Sequence, residues 1–354
     1  MAKMMNKKKV IVIAVAALFT SAAIAGNEDR VGSAGATELL YNPWARSSAW
    51  ADAGMSSVTG VEAIFMNVAG LAQIKKTELS FVRTNWLAGT GININTIGLG
   101  QKVGETGSLG LYFSSLNFGD IMVTTEELPD GSPNVFSPRY VNFGLSYAKE
   151  FSNSIYAGIT VKGINHSISN VRATGIALDA GIKYITGEKD QIKFGIDIKN
   201  VGPPMRMSGD GFSYLSQIVA TGAQITMQQR SAKYELPSQV NIGFSYDFLF
   251  KETSKLVAAF CFSSNSFSKD QYRFGLDYGY TFKKAALNVR AGYVYEKGIF
   301  SADQRTTGLL GPTFGASVDF LAGEKQHHIG LDYSYRVTNP FAGVHSIGLR
   351  IELF

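Results

Sequence analysis

Of 354 residues only one, Cys261, is a cysteine, which excludes an internal disulfide framework and a cysteine-based zinc cluster. A lone cysteine with apolar neighbours reads as a buried, inert thiol. Histidine is almost as scarce. His166, His327, His328 and His345 fall into none of the short spacings by which imidazoles chelate a metal. There is no GxSxG, no P-loop and no GxGxxG, since Gly98-Leu-Gly100 lacks the third glycine. With no nucleophile, base and oxyanion donor brought together, the chain is not expected to be an enzyme, and no motif asks for a cofactor. Charged residues make up only 17%, and beyond residue 25 no apolar run reaches the roughly 18–20 residues of a spanning helix. The excess of 33 basic over 28 acidic residues is also local: without Lys3, Lys7, Lys8 and Lys9, 29 basic residues face 28 acidic ones. The body therefore has no basic field, which excludes nucleic acid as a partner.

What is present begins with an export signal. Three lysines precede the apolar run Val10 to Phe19, and Ala23-Ile24-Ala25 is a small-x-small cleavage pattern. Residues 1–25 are read as a signal peptide, so the mature chain leaves the cytoplasm.

From residue 78 onward the dominant period is two. Val141, Phe143, Leu145 and Tyr147 alternate with Asn142, Gly144 and Ser146; Tyr272, Phe274, Leu276, Tyr278 and Tyr280 alternate with Arg273, Gly275, Asp277 and Gly279. Successive strand side chains point to opposite faces, so each segment has an apolar face and a polar or glycine face. About fourteen such segments run from 78–88 to 344–354, with boundaries good to about 2–4 residues. Many match the roughly 9–11 residues that a tilted strand needs to cross a bilayer. Links near 104–105, 151–152, 187–190, 251–254, 283–285 and 321–325 are short; links near 119–137, 166–173, 202–237 and 297–311 are longer. Such alternation is expected when hairpins emerge on opposite sides of a membrane. Unpaired amides cannot face hydrocarbon, so the sheet must close. The fold expected over 78–354 is an all-β, transmembrane antiparallel barrel in the outer membrane, with lipid as its surroundings. Lys162, Asp179, Lys183, Lys193, Asp197, Asp247, Arg273, Asp277, Arg290, Asp332, Arg336 and Arg350 then line the lumen, as structural pairs or as a selectivity filter. Glycines on that face leave room for bulky neighbours or an inserted segment.

Residues 26–77 are rich in Ala, Gly and Ser, carry Trp44 and Trp50, and break at Asn42-Pro43. Their small apolar residues need something to bury against, and the lumen supplies it, so they are expected to form a plug or hatch. At the other end, Gly348, Ile351, Leu353 and the terminal Phe354 resemble the C-terminal strand signal of outer-membrane barrels.

Gly32-Ser-Ala-Gly-Ala-Thr-Glu-Leu-Leu40, Ala45-Arg46, Ala51-Asp-Ala-Gly54-Met55 and Asn67-Val-Ala-Gly-Leu-Ala72 resemble the N-terminal region of the PorV/PorQ family. Asn200-Val-Gly-Pro-Pro-Met-Arg206 and Leu236-Pro-Ser-Gln-Val-Asn-Ile-Gly243 are similar to a later family motif. That resemblance implies an outer-membrane protein of Bacteroidota with a FadL-like, fourteen-stranded barrel. It also implies a component of the type IX protein secretion system, whose partners are a large translocon subunit and the C-terminal signal domains of exported cargo. The alternative is FadL-like transport of hydrophobic small molecules. In the hatch motif the resemblance points to Asn67, Ala69 and Gly70, with Val68 where the family carries proline. In the long 202–237 link, Pro203, Pro204, Met205, Arg206, Phe212, Tyr214 and Leu215 form the candidate extracellular partner loop. Its apolar groups suit either a partner surface or an inward fold over the barrel mouth.

Overall fold

A computed structural model describes residues 28–251, 253–305, 307–322 and 327–353. Residues 1–25, read from the sequence as a signal peptide, and Phe354, read as the end of a strand signal, lie outside the described residues.

Fourteen long strands form the wall. They are β1 (Thr77–Asn85), β2 (Asn93–Val103), β3 (Gly107–Asn117), β4 (Arg139–Ser152), β5 (Ile155–Ile168), β6 (Val171–Thr186) and β7 (Ile192–Val201). The second half comprises β8 (Gln239–Lys251), β9 (Ser254–Asn265), β10 (Gln271–Thr281), β11 (Ala285–Glu296), β12 (Leu309–Ala322), β13 (His327–Thr338) and β14 (Val344–Leu353). Each pairs antiparallel with its neighbours in sequence. The ring closes where β1 meets β14, from Thr77 opposite Leu353 to Asn85 opposite His345. Among the described residues no long strand keeps a free edge, which is what hydrocarbon demands.

The two faces separate as the period-two pattern requires. Phe81, Ile97, Leu145, Ile196, Leu276 and Leu349 point outward and are exposed. Tyr147, Phe151, Tyr184, Phe250, Phe282 and Phe320 are also exposed and cluster beside the short turns, as an interfacial girdle of aromatic residues does. Inward positions are mostly small or polar, with Val82, Ile94, Tyr112, Leu116 and Ile164 as larger apolar exceptions, and hydroxyls pair across strands: Ser146 with Thr160 at 2.8 Å, Thr84 with Ser346 at 2.7 Å. All twelve charged residues assigned to the lumen lie on this inner face, where most are buried.

The long links do emerge on one side, with one correction. The expected link near 166–173 is only the two-residue turn Ser169-Asn170. β5 and β6 run on as a ribbon because Ser208-Gly209 of the 202–238 link pairs with Val171-Arg172, extending the ladder beyond the barrel rim. Ser169 takes the left-handed conformation (φ 49°) that a tight turn needs.

Residues 36–74 occupy the lumen as a chain of short 3₁₀ turns around one α-helical turn, Ala45–Ser48. Inward-facing glycines make the space. A Cβ on Gly292 of β11 would lie 2.6 Å from the Trp50 carbonyl oxygen and 2.7 Å from the Ala51 nitrogen; on Gly275 of β10 it would lie 2.7 Å from the same carbonyl. Gly98, Gly100 and Gly110 likewise receive Val61, Ile74 and Ile64. Because backbone cannot retreat as a side-chain tip can, Gly292→Ala is expected to cost about 1–3 kcal/mol by overpacking. Urea titration of the folded barrel in vesicles measures this; wild-type stability would mean that the segment does not rest on β11.

Candidate functional site: the occupied lumen and its extracellular mouth

Ion pairs tie the inner segment to the wall. Asp52, itself left-handed (φ 58°), accepts from Arg336 Nη2 at 3.0 and 2.9 Å, lies 3.8 Å from Arg273 and accepts from Asn42 at 2.7 Å. Glu62 accepts from the Ser47 hydroxyl at 2.7 Å and pairs with Arg46 at 3.3 Å. Burial pulls the Arg46 guanidinium down, but Glu62, Glu78, Asp332 and Asp319 outweigh it and hold its pKa above the usual value. Lys183 donates to the Val58 carbonyl at 2.9 Å and to Gln73 at 2.6 Å. The wall's own charges pair similarly: Lys162–Asp179 at 2.5 Å, Lys193–Asp247 at 2.6 Å, Arg290–Asp277 at 3.0 Å and Arg350–Asp319 at 2.6 Å. These contacts carry the structural-pairing reading of the lumen charges.

The hatch motif sits deep in this packing. Asn67 accepts from the Ala69 amide and donates to the Ile182 carbonyl, both at 3.1 Å. Its side chain fits against Gly181 of β6 and Gly195 of β7, while Gly70 is pressed against the Val58 carbonyl. The 3₁₀ turn Val68–Gln73 begins directly after Asn67, so it forms with valine where the family pattern has proline.

At the extracellular end, two apolar clusters cover the segment. In one, Trp86, Ile94, Leu116 and Val344 are joined by half-buried Tyr41, Leu87, Ile92, Phe118, Tyr140 and Leu309. Rings follow one another around the rim: Tyr41 and Trp86 at 4.1 Å, Phe118 and Tyr140 at 4.9 Å, Tyr140 stacked on His166 at 3.9 Å. His166 bonds to Glu38 of the inner segment at 2.8 Å, and the Tyr234 hydroxyl approaches its other ring nitrogen at 3.3 Å. Burial raises Tyr41 and pushes Tyr234 up to about 12, with Glu38 adding to both. The second cluster joins Ala36 and Leu39 to Ile164, Met205 and Leu236.

The long loop therefore divides. Met205, read as part of a partner surface, is instead 1% exposed and closes the mouth; its side chain covers Gly175 of β6. Pro203, Pro204 and Arg206 are exposed and Phe212 is half-buried. Tyr214 and Leu215 lie on a projecting hairpin. Gly348 faces inward against Val82, while Ile351 and Leu353 continue the outward face of β14. Cys261 is buried among Met55, Val58, Ala63 and Met66.

Cavities adjoin the inner segment among the described residues. One of about 10 Å³, beside Asp52, Phe65 and Lys199, is about the size of a single water. Another, about 310 Å³, opens at the end of the short turns between Arg46, Glu62, Lys193, Lys255, Arg290 and Arg350. Sequence reading missed the rim aromatics and the Asp52–Arg336 tie, since both join residues far apart in the chain.

No family model matches the chain, and no curated relative matches it. Among solved structures it is similar to a Pseudomonas aeruginosa FadL homologue, with 12% identity, a TM-score of 0.54, and 88% of this chain and 98% of that one covered. The Pseudomonas putida toluene transporter TodX matches with 12% identity, a TM-score of 0.54 and coverage of 86% and 95%. The CymD monoaromatic hydrocarbon channel gives 12%, 0.53, 92% and 99%. At this identity the likeness is one of fold: the chain is a FadL-like, closed fourteen-stranded barrel of the outer membrane.

Proposed function

We propose that the protein admits small hydrophobic compounds at the outer membrane, with the aromatic rim as the place where they first partition. The observation that carries this reading is the aromatic collar at the mouth, where half-buried Tyr41, Phe118 and Tyr140 surround buried Trp86 above the filled lumen. Such rings offer apolar faces at the one end of the barrel that meets the outside. Two of the similar structures are a toluene transporter and a monoaromatic hydrocarbon channel, which supports the same class of ligand.

The test is uptake of a labelled monoaromatic by intact cells that lack channels of their own and express this chain. Uptake several-fold above empty vector is expected, with Trp86→Ala and Tyr140→Ala reducing it while the barrel stays folded. Vector-level uptake by cells carrying folded protein would overturn the proposal.

A second reading, a PorV-like part in type IX secretion with a translocon subunit and cargo signal domains as partners, rests on the sequence resemblance. It is favoured by the filled lumen and by apolar groups carried outward on the long loop.

A further inference from the structure

The long loop holds a two-stranded ribbon, Ser213–Gln217 with Gln224–Gln228, in the register Ser213 opposite Gln228 through Gln217 opposite Gln224. The Gln229 amide donates to the Phe212 carbonyl and the Ile218 amide to the Ala223 carbonyl. In an antiparallel pair, inward and outward amides alternate. Tyr214 and Ser216 therefore bond within the ribbon, and Ser213, Leu215 and Gln217 turn their N–H and C=O groups outward. Among the described residues the ribbon is a sheet of two strands only, so this edge pairs with no other strand. The opposite edge is less free, because Gln228 Nε2 donates to the Gly209 carbonyl at 3.1 Å.

Proteins normally blunt an exposed strand edge with lysine, other charges, proline or a bulge. None of these is present. Residues 211–229 contain no Asp, Glu, Lys, Arg or Pro, and the register through the ribbon is unbroken. Its side chains are unusually apolar for a projecting loop. Tyr214, Ile225 and Met227 share one face and are exposed, Leu215 is 73% exposed on the other, and Val219 at the tip is fully exposed.

We infer that the Ser213–Gln217 edge is a strand acceptor, to which an extended, uncharged segment of another polypeptide outside the cell adds as a third strand. Backbone bonds to Ser213, Leu215 and Gln217 supply affinity, and apolar side chains at alternate positions of the incoming strand lie beside Tyr214, on the face that Ile225 and Met227 continue across the ribbon. Charge neutrality over the whole ribbon selects against acidic or basic strands. This inference does not depend on what passes through the lumen.

The probe is a capped, labelled ten-residue peptide of alternating Gln and Val, added to the purified mature chain in lipid nanodiscs. Saturable binding is expected, with slowed hydrogen exchange confined to the Ser213, Leu215 and Gln217 amides. Leu215→Pro removes an outward N–H and no bond within the ribbon, so hairpin and barrel survive. It should weaken binding about tenfold or more, as should the edge-blocking Leu215→Lys, whereas Leu215→Ala should bind nearly as wild type. Equal binding by Leu215→Pro, equal binding to empty nanodiscs, or exchange protection that appears without peptide as protein concentration rises would each overturn the assignment. The last two would place the ribbon on lipid or on a second copy of the chain.

Discussion

Replacing Asp52 with alanine is expected to destabilise the folded barrel by about 3–5 kcal/mol, because it strands buried guanidinium charge without its partner. Asp52 is buried, as are Arg336 and the amide of Asn42 that it also accepts, and Arg273 adds a second cation 3.8 Å away. No other carboxylate is seen bonding to Arg336 among the described residues, so the loss is not shared out. Part of the penalty is conformational: alanine tolerates the left-handed backbone at this position (φ 58°) less well than aspartate does. Asp52→Asn separates the two contributions, since asparagine accepts that backbone and keeps one oxygen but not the charge. Urea titration in lipid vesicles checks both variants, and Trp44 and Trp50, which lie in the inner segment, report its release directly by fluorescence. Asp52→Ala unfolding at the wild-type urea midpoint would mean that the segment is held by packing alone.

How legible this was depends on the range over which each signal acts. The strands were plain because their period is local: Leu276 and Asp277 announce opposite faces from adjacent positions, and each of the fourteen segments lies within a few residues of its expected limits. The inward glycines also announced an inserted segment, since a face without side chains must be filled by something else. The mouth was not legible. Glu38 and His166 are 128 positions apart, and their spacing along the chain carries no trace of their contact. The place of Met205 is left open in the sequence for a related reason. An apolar side chain in a loop fits a partner surface and a closed mouth equally well, and only the nearby gap above Gly175 decides between them. The 166–173 link was misjudged because two residues in a tight turn can end strands that continue beyond the bilayer.

Leu276→Arg is expected to cost about 2–4 kcal/mol, the depth-dependent penalty for a cation on the lipid face near the midplane. Leu276 is the middle residue of β10, half exposed, and flanked across the sheet by Ala258 and Ala291, neither of which offers a counter-charge. Its arginine could reach water only by snorkelling along half the thickness of the hydrocarbon. Tyr280, on the same face but four residues nearer the short turns, is the internal control. There the same substitution should cost only about 0–1 kcal/mol, because the guanidinium reaches the interface. One position along, Asp277 points the other way and pairs with Arg290 and Asn288, each at 3.0 Å. The contrast between Leu276 and Tyr280 thus measures depth, and the contrast between Leu276 and Asp277 measures facing. Urea midpoints of the two arginine variants in vesicles read the depth contrast directly. If Leu276→Arg and Tyr280→Arg were tolerated alike, β10 would not cross hydrocarbon in the register described, and the outward face of the barrel would have to be reassigned.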